Sequence, residues 1–144
     1  MGMLEAICMS VEKGTVKLPV SSARLRESWG IEGDAHAGEW HRQISLLAAE
    51  SIEQVRQVLP ELEFGMFGEN LVTRGIDLPG LQVGDRLQVG EAVLLEVTQI
   101  GKECHNGGCV IQQATGDCIM PREGIFCKVL AGGEVVPGNS VSVL

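Results

Sequence analysis

The chain has 144 residues, 44% of them hydrophobic, with a formal charge of −8 and an aromatic fraction of 3% that includes no tyrosine. An acidic chain with few rings lacks both the basic surface and the stacking platform on which nucleic-acid binding rests. No apolar run approaches the roughly 18 residues of a membrane span, and the N-terminus lacks a basic-then-apolar leader, so one domain over 1–144 in the cytoplasm is expected.

In chain order, short apolar runs at 4–9, 16–20 and 44–47 predict strands of about five residues. A helix is predicted over 48–59, where Ile52, Val55 and Leu59 share one face, and Pro60 stops it because the residue before proline resists helical angles. Further strands are expected at 71–73, 87–89, 92–98, 109–113, 125–130 and 140–144. Val83-Gly84-Asp85 and Thr115-Gly116 are read as hairpin turns. The 19 glycines punctuate these runs, and a mainly β fold follows: a β-barrel with one main α-helix and short helical turns.

Cys104, Cys109 and Cys118 crowd into 100–120 around His105 and the Gly107-Gly108 pair. Five cysteines cannot all pair within one chain, and a reducing compartment disfavours structural disulfides, so the clustering points to thiol or metal chemistry. A turn can expose a reactive residue while its scaffold stays rigid. Cys8 and Cys127 sit in apolar runs and are read as core packing. Two readings stand for Cys109, a partner folded back toward Cys104 and the first residue of a buried strand. A zinc site from Cys104, His105, Cys109 and Cys118 has the right ligand types, but its spacing departs from the paired knuckles of structural zinc sites.

The pattern resembles the MOSC domain, the module at the C-terminus of molybdenum-cofactor sulfurases that also occurs as stand-alone bacterial proteins. The markers run from Lys13-Gly14 through Pro19-Val20, then Gly30-Ile31-Glu32-Gly33-Asp34-Ala35-His36-Ala37-Gly38 and Arg42-Gln43-Ile44-Ser45-Leu46-Leu47. Phe67-Gly68-Glu69-Asn70-Leu71, Val83-Gly84-Asp85-Arg86-Leu87, Val97-Thr98-Gln99 and the cysteine stretch follow in order. The resemblance implies a barrel of the pyruvate-kinase β-barrel type. It also implies a role in binding molybdenum cofactor (molybdopterin), transiently or stably, or in carrying sulfur for metal-sulfur chemistry. A reductase component acting on N-hydroxylated compounds and a small zinc-binding interaction domain are the alternatives. A separate sulfur donor or molybdenum-cofactor enzyme is the expected partner, because the barrel uses up the length.

Within that resemblance the family's key cysteine falls on Cys104, and a thiolate there is both a sulfur nucleophile and a soft molybdenum ligand. Lys102 and His105 stand close enough in sequence to favour the thiolate. Arg42 can grip a phosphate or pterin oxygen through its planar fork, and His36 can orient a substrate or move a proton. Asp34 and His41 fall in the same glycine-rich stretch, and for them a ligand role and a loop-tying role are both open. Lys17, Glu69, Asn70 and Arg122 match further family markers. The site expected from the sequence therefore has Cys104, His36 and Cys109 as reacting residues, with Arg42, Lys17, Asp34, Asn70, Lys102 and Arg122 as cofactor contacts.

Overall fold

The structure is a computed structural model that describes residues 2–13, 15–101 and 123–144. Seven strands close into a barrel: β1 (Gly2–Met9), β5 (Ile44–Ala48), β6 (Leu71–Arg74), β7 (Arg86–Val89), β8 (Val93–Ile100), β9 (Ile125–Ala131) and β11 (Ser140–Val143). Around the ring the order is β1-β11-β7-β8-β9-β5-β6 and back to β1, with β2 (Leu18–Val20) continuing outward from β1. A small sheet of β10 (Gly133–Val135), β3 (Ala23–Arg26) and β4 (Gly30–Ile31) lies beside it.

A closed ring with an odd number of strands cannot alternate direction all the way round, so at least one neighbouring pair must be parallel. That pair is β5–β6, with Leu46 opposite Leu71 and Ala48 opposite Thr73. The other six pairings of the ring are antiparallel. Parallel neighbours need a crossover rather than a hairpin, and α1 (Ala49–Arg56) begins that crossover.

Side chains alternate across each strand, so the barrel sorts its apolar residues into an inner and an outer set. Ile44, Leu46, Leu71, Leu95, Ile125 and Cys127 fill the interior. Leu47, Val72, Phe126 and Cys8 point the other way and are covered by Ile52 of α1 and by Leu62 and Phe67 from the crossover. Strand β5 is buried at all five positions because it is covered on both faces, which is why it reads as a continuous apolar run. Cys8 and Cys127 are both buried and unpaired, as expected of core cysteines.

Three local expectations are corrected. The helix ends at Arg56, short of the expected 59, and the chain tightens into turns in which Val58 N and Leu59 N both bond to Val55 O before Pro60. Gly84 does turn, with φ 98°, but β6 and β7 on either side of it are not neighbours, so no hairpin forms there. Gly84 N instead bonds to Val97 O at 2.8 Å. The strands β3, β4 and β10 were not anticipated; β3 alternates buried Ala23 and Leu25 with exposed Arg24 and Arg26, a half-buried pattern without the apolar run used to find the others. The strand expected at 109–113 and the turn at Thr115-Gly116 lie outside the described residues.

Candidate functional site

One row of residues crosses the outer face of the barrel. Gln99 of β8 is opposite Phe126 of β9, and Phe126 is opposite Ser45 of β5. The chain leaves β8 after Ile100 and returns at Glu123, and Gly101 N bonds to Gly124 O at 2.7 Å. Ser51 of α1 donates to Glu123 Oε1 at 2.7 Å. The described residues that flank 102–122 are thus tied together beside Gln99 and Phe126. The expected site residues Cys104, Cys109, Lys102 and Arg122, with His105 and Cys118, lie outside the described residues.

Against this row lies the stretch 34–43. The Arg42 guanidinium stacks on Trp40 at 4.6 Å and reaches over Phe126 at 5.7 Å, while its Nε is buried without a hydrogen-bond partner. His41 Nε2 is 2.8 Å from Gln99 Oε1, and its ring stands edge-on to Trp40 with centroids 5.9 Å apart. Trp40 Nε1 donates to His36 O at 2.8 Å, and His36 N donates to Asp34 Oδ2 at 3.2 Å. The fold therefore brings Arg42, His41 and His36 together at the roots of the segment that carries Cys104. Gln99, Trp40 and Phe126 complete this rim and were not singled out from the sequence. The Trp40-His41-Arg42 run could have suggested the stack; Phe126 could not.

Lys17, Asp34 and Asn70 lie in the wall below the rim rather than on its surface. Lys17 Nζ meets Asp34 Oδ1 at 2.7 Å, with both side chains 0% exposed. It also donates to Ser10 Oγ at 3.2 Å, and Asp34 Oδ1 accepts Ser10 N at 3.1 Å. Burial raises the Asp34 pKa, but the hydrogen bonds from Lys17, Ser10 and His36, with the Lys17 charge, outweigh it and hold the carboxyl below its ordinary range. Gly65 makes this wall possible: its φ is 98°, and a Cβ there would sit 2.0 Å from Lys17 O. Asn70, just ahead of β6, ties β5 to β1: its Oδ1 accepts Ser45 N at 3.0 Å and its Nδ2 donates to Cys8 O at 3.1 Å.

The profile of the MOSC domain matches residues 33–142. The chain belongs to the MOSC domain family. This family is associated with molybdenum-cofactor sulfurase-like function. Among solved structures, the MOSC chain is similar to the YuaD protein of Bacillus subtilis, with TM-score 0.82 and 22% identity over 99% of this chain and 94% of that one. YiiM of Geobacillus stearothermophilus matches with TM-score 0.72 and 19% identity, covering 100% of this chain and 75% of that one. YiiM of Escherichia coli gives 0.63 and 23%, covering 100% and 70%. At these identities the likeness shows the shared fold. No curated protein matches the chain.

Beneath the rim of this MOSC domain burial raises the pKa of two groups. The Cys8 thiol is pushed up to about 12 by desolvation, with the Glu69 charge adding to it against Lys17. Glu69 is fully buried, its Oε1 accepts Phe67 N at 3.0 Å, and its Oε2 has no hydrogen-bond partner. Desolvation raises its pKa from 4.5 to about 6, against the backbone N–H groups of Gly65, Glu69 and Phe67 and the charge of Lys17. A carboxyl whose folded pKa is raised favours the folded state most below its unfolded pKa, and that contribution is lost as pH rises through the folded value. The wild-type protein is therefore expected to lose about 2 kcal/mol relative to Glu69→Gln between pH 4.5 and pH 7. Urea melts of both proteins across this range check it; a constant difference between them contradicts the assignment.

Among the described residues there is no group of three or more His, Cys, Asp or Glu side chains placed to hold a metal ion. The zinc ligands considered from the sequence fall in 102–122, outside the described residues. No described helix is long and apolar enough to cross a membrane.

Proposed function

We propose that this MOSC domain binds molybdenum cofactor or carries sulfur for metal-sulfur chemistry, with Cys104 as the working thiolate and Arg42 as the cation for the anionic part of the ligand. The observation that carries the reading is the Arg42 stack: a guanidinium held between Trp40 and Phe126, with a buried and unpartnered Nε, at the roots of the cysteine-bearing segment. Buried donors without partners are rare in folded proteins, and a ligand oxygen is one way to satisfy this one. A fixed guanidinium also suits a phosphate or pterin oxygen through charge-assisted bonds. The donor set therefore fits the cofactor's anionic end.

When bound, the cofactor would supply a molybdenum centre for which a cysteine thiolate is a soft ligand. The chain's own residues do the remaining work. Arg42 binds and orients the anion, Trp40 and Phe126 hold the guanidinium in place, and the Lys17–Asp34 wall supports the stretch that presents them. In sulfur carriage the Cys104 thiolate attacks the outer sulfur of a donor persulfide; a new S–S bond forms and the donor leaves as a thiolate. The donor and the acceptor are separate proteins in this reading.

Alkylation near neutral pH is expected to label Cys104 ahead of Cys8 and Cys127. Burial raises both core thiols and withholds them from reagent, whereas thiolate fraction and access together set reactivity. Native mass spectrometry of protein from a molybdate-sufficient host, before and after exposure to a persulfide donor, is expected to find a molybdenum pterin or one added sulfur on Cys104. Equal labelling of all cysteines, or protein that takes up neither species, overturns the reading.

A further inference from the structure

Among the described residues, the buried charged side chains are Lys17, Asp34 and Glu69. A single ammonium cannot neutralise two carboxylates, so the closed wall carries a surplus of acid. Lys17 Nζ is committed to Asp34 Oδ1 at 2.7 Å and to Ser10 Oγ at 3.2 Å, and Asp34 is served further by Ser10 N and His36 N. Glu69 is served less well: Oε1 accepts Phe67 N, and Oε2 has no hydrogen-bond partner. A buried acid without a full set of partners takes up a proton rather than stay charged. The surplus proton therefore belongs on Glu69.

The backbone joins the two carboxyls as well. Lys17 N donates to Gly65 O at 3.1 Å, and Gly68 N donates to the same oxygen at 3.0 Å, which packs the turn holding Glu69 against the chain that carries the ammonium. The charged and titratable groups that face Glu69 are Lys17, ahead of β2, and the Cys8 thiol of β1; β5 presents neutral Ser45, whose Oγ donates to Gly68 O at 3.3 Å. Cys8 stays a thiol, pushed up to about 12, and Asp34 is held below its ordinary range. Glu69, raised to about 6, is the one of these groups whose charge changes near neutral pH.

We propose that Glu69 is a proton-operated latch on the stretch 34–43, acting through Lys17. With the proton on Glu69 Oε2 the ammonium belongs to Asp34, and Asp34 holds Ser10 N and His36 N. When the proton leaves to water, a second buried carboxylate competes for the same ammonium. The hold on Asp34 weakens, and the stretch that carries Trp40, His41 and Arg42 loosens. The latch is a property of the wall and the rim; only its consequence for a ligand at Arg42 rests on the proposed function.

The test uses the full chain, with NMR of the Glu69 carboxyl carbon and of the Ser10 amide across about pH 4.5 to 8. Ser10 N reports the hold because it is bonded to Asp34. In the wild type both signals are expected to step together near pH 6. Glu69→Gln should remove the step from Ser10, and His36→Gln should leave it in place. Asp34→Asn discriminates a latch from a merely structural carboxyl. It frees the ammonium for Glu69, so the Glu69 midpoint is expected to fall by about one pH unit or more.

A Glu69 carboxyl that titrates without moving the Ser10 amide overturns the inference. So does a Ser10 step that survives Glu69→Gln, or a Glu69 midpoint that Asp34→Asn leaves where it was. If Asp34→Asn does not fold, the wild type and Glu69→Gln still decide, since neither removes the Lys17–Asp34 pair. The two proposals fail separately. Protein that takes up cofactor or sulfur while its Ser10 amide stays constant defeats the latch alone; a Ser10 step in protein that takes up neither supports the latch and defeats the functional reading.

Discussion

Lys17→Met is expected to destabilise the folded chain by about 3 to 5 kcal/mol, because it leaves the Asp34 carboxylate buried without its counter-charge. The pair is closed at 2.7 Å with neither side chain exposed, so water cannot take over the role of the ammonium. Asp34 also holds Ser10 N and His36 N, which means that a disturbed carboxylate loosens the stretch presenting Trp40, His41 and Arg42. The Asp34 pKa is lowered in the folded state. Its contribution is therefore present above the unfolded pKa and is lost as pH falls through the folded one, opposite in sign to that of Glu69. Guanidinium melts of Lys17→Met, Asp34→Leu and the double variant measure the effect. The double variant should recover much of the loss, since removing both charges spares the cost of an unpaired buried ion. A single-variant loss below about 1 kcal/mol would place the pair in the class of exposed ion pairs and contradict its burial.

The second large effect is on ligand affinity. If Arg42 holds the ligand's anion as proposed, Arg42→Ala removes a charge-assisted hydrogen bond worth about 1.5 to 3 kcal/mol, and affinity for the molybdenum pterin is expected to fall roughly ten- to a hundredfold. Stability should change little by comparison, since the guanidinium stacks on Trp40 at the half-exposed rim rather than filling the barrel. Arg42→Lys should recover only part of the affinity, because an ammonium keeps the charge but neither the fork nor the stack. Titration calorimetry with the isolated cofactor distinguishes the three proteins. Unchanged affinity in Arg42→Ala would leave the residue as a rim charge without a ligand.

The strand-length runs, the helix ahead of Pro60 and the chain of MOSC markers were legible because they are local: period, turn chemistry and residue order lie within a few positions of one another. The same locality brought Asp34, His36, His41 and Arg42 forward as one group. It could not show that Lys17 is buried against Asp34, that Gln99 faces His41 across 58 positions, or that Phe126 lies under Arg42. Periodicity says which residues face a core and not which charged side chain meets another across it. Those meetings follow from closure of the barrel, whose odd strand number forces the parallel β5–β6 pair and whose register sets Gln99, Phe126 and Ser45 side by side. Lys17, expected from the sequence as a cofactor contact, becomes an internal ion pair once the chain folds, because low dielectric favours a counter-charge beside a buried ammonium.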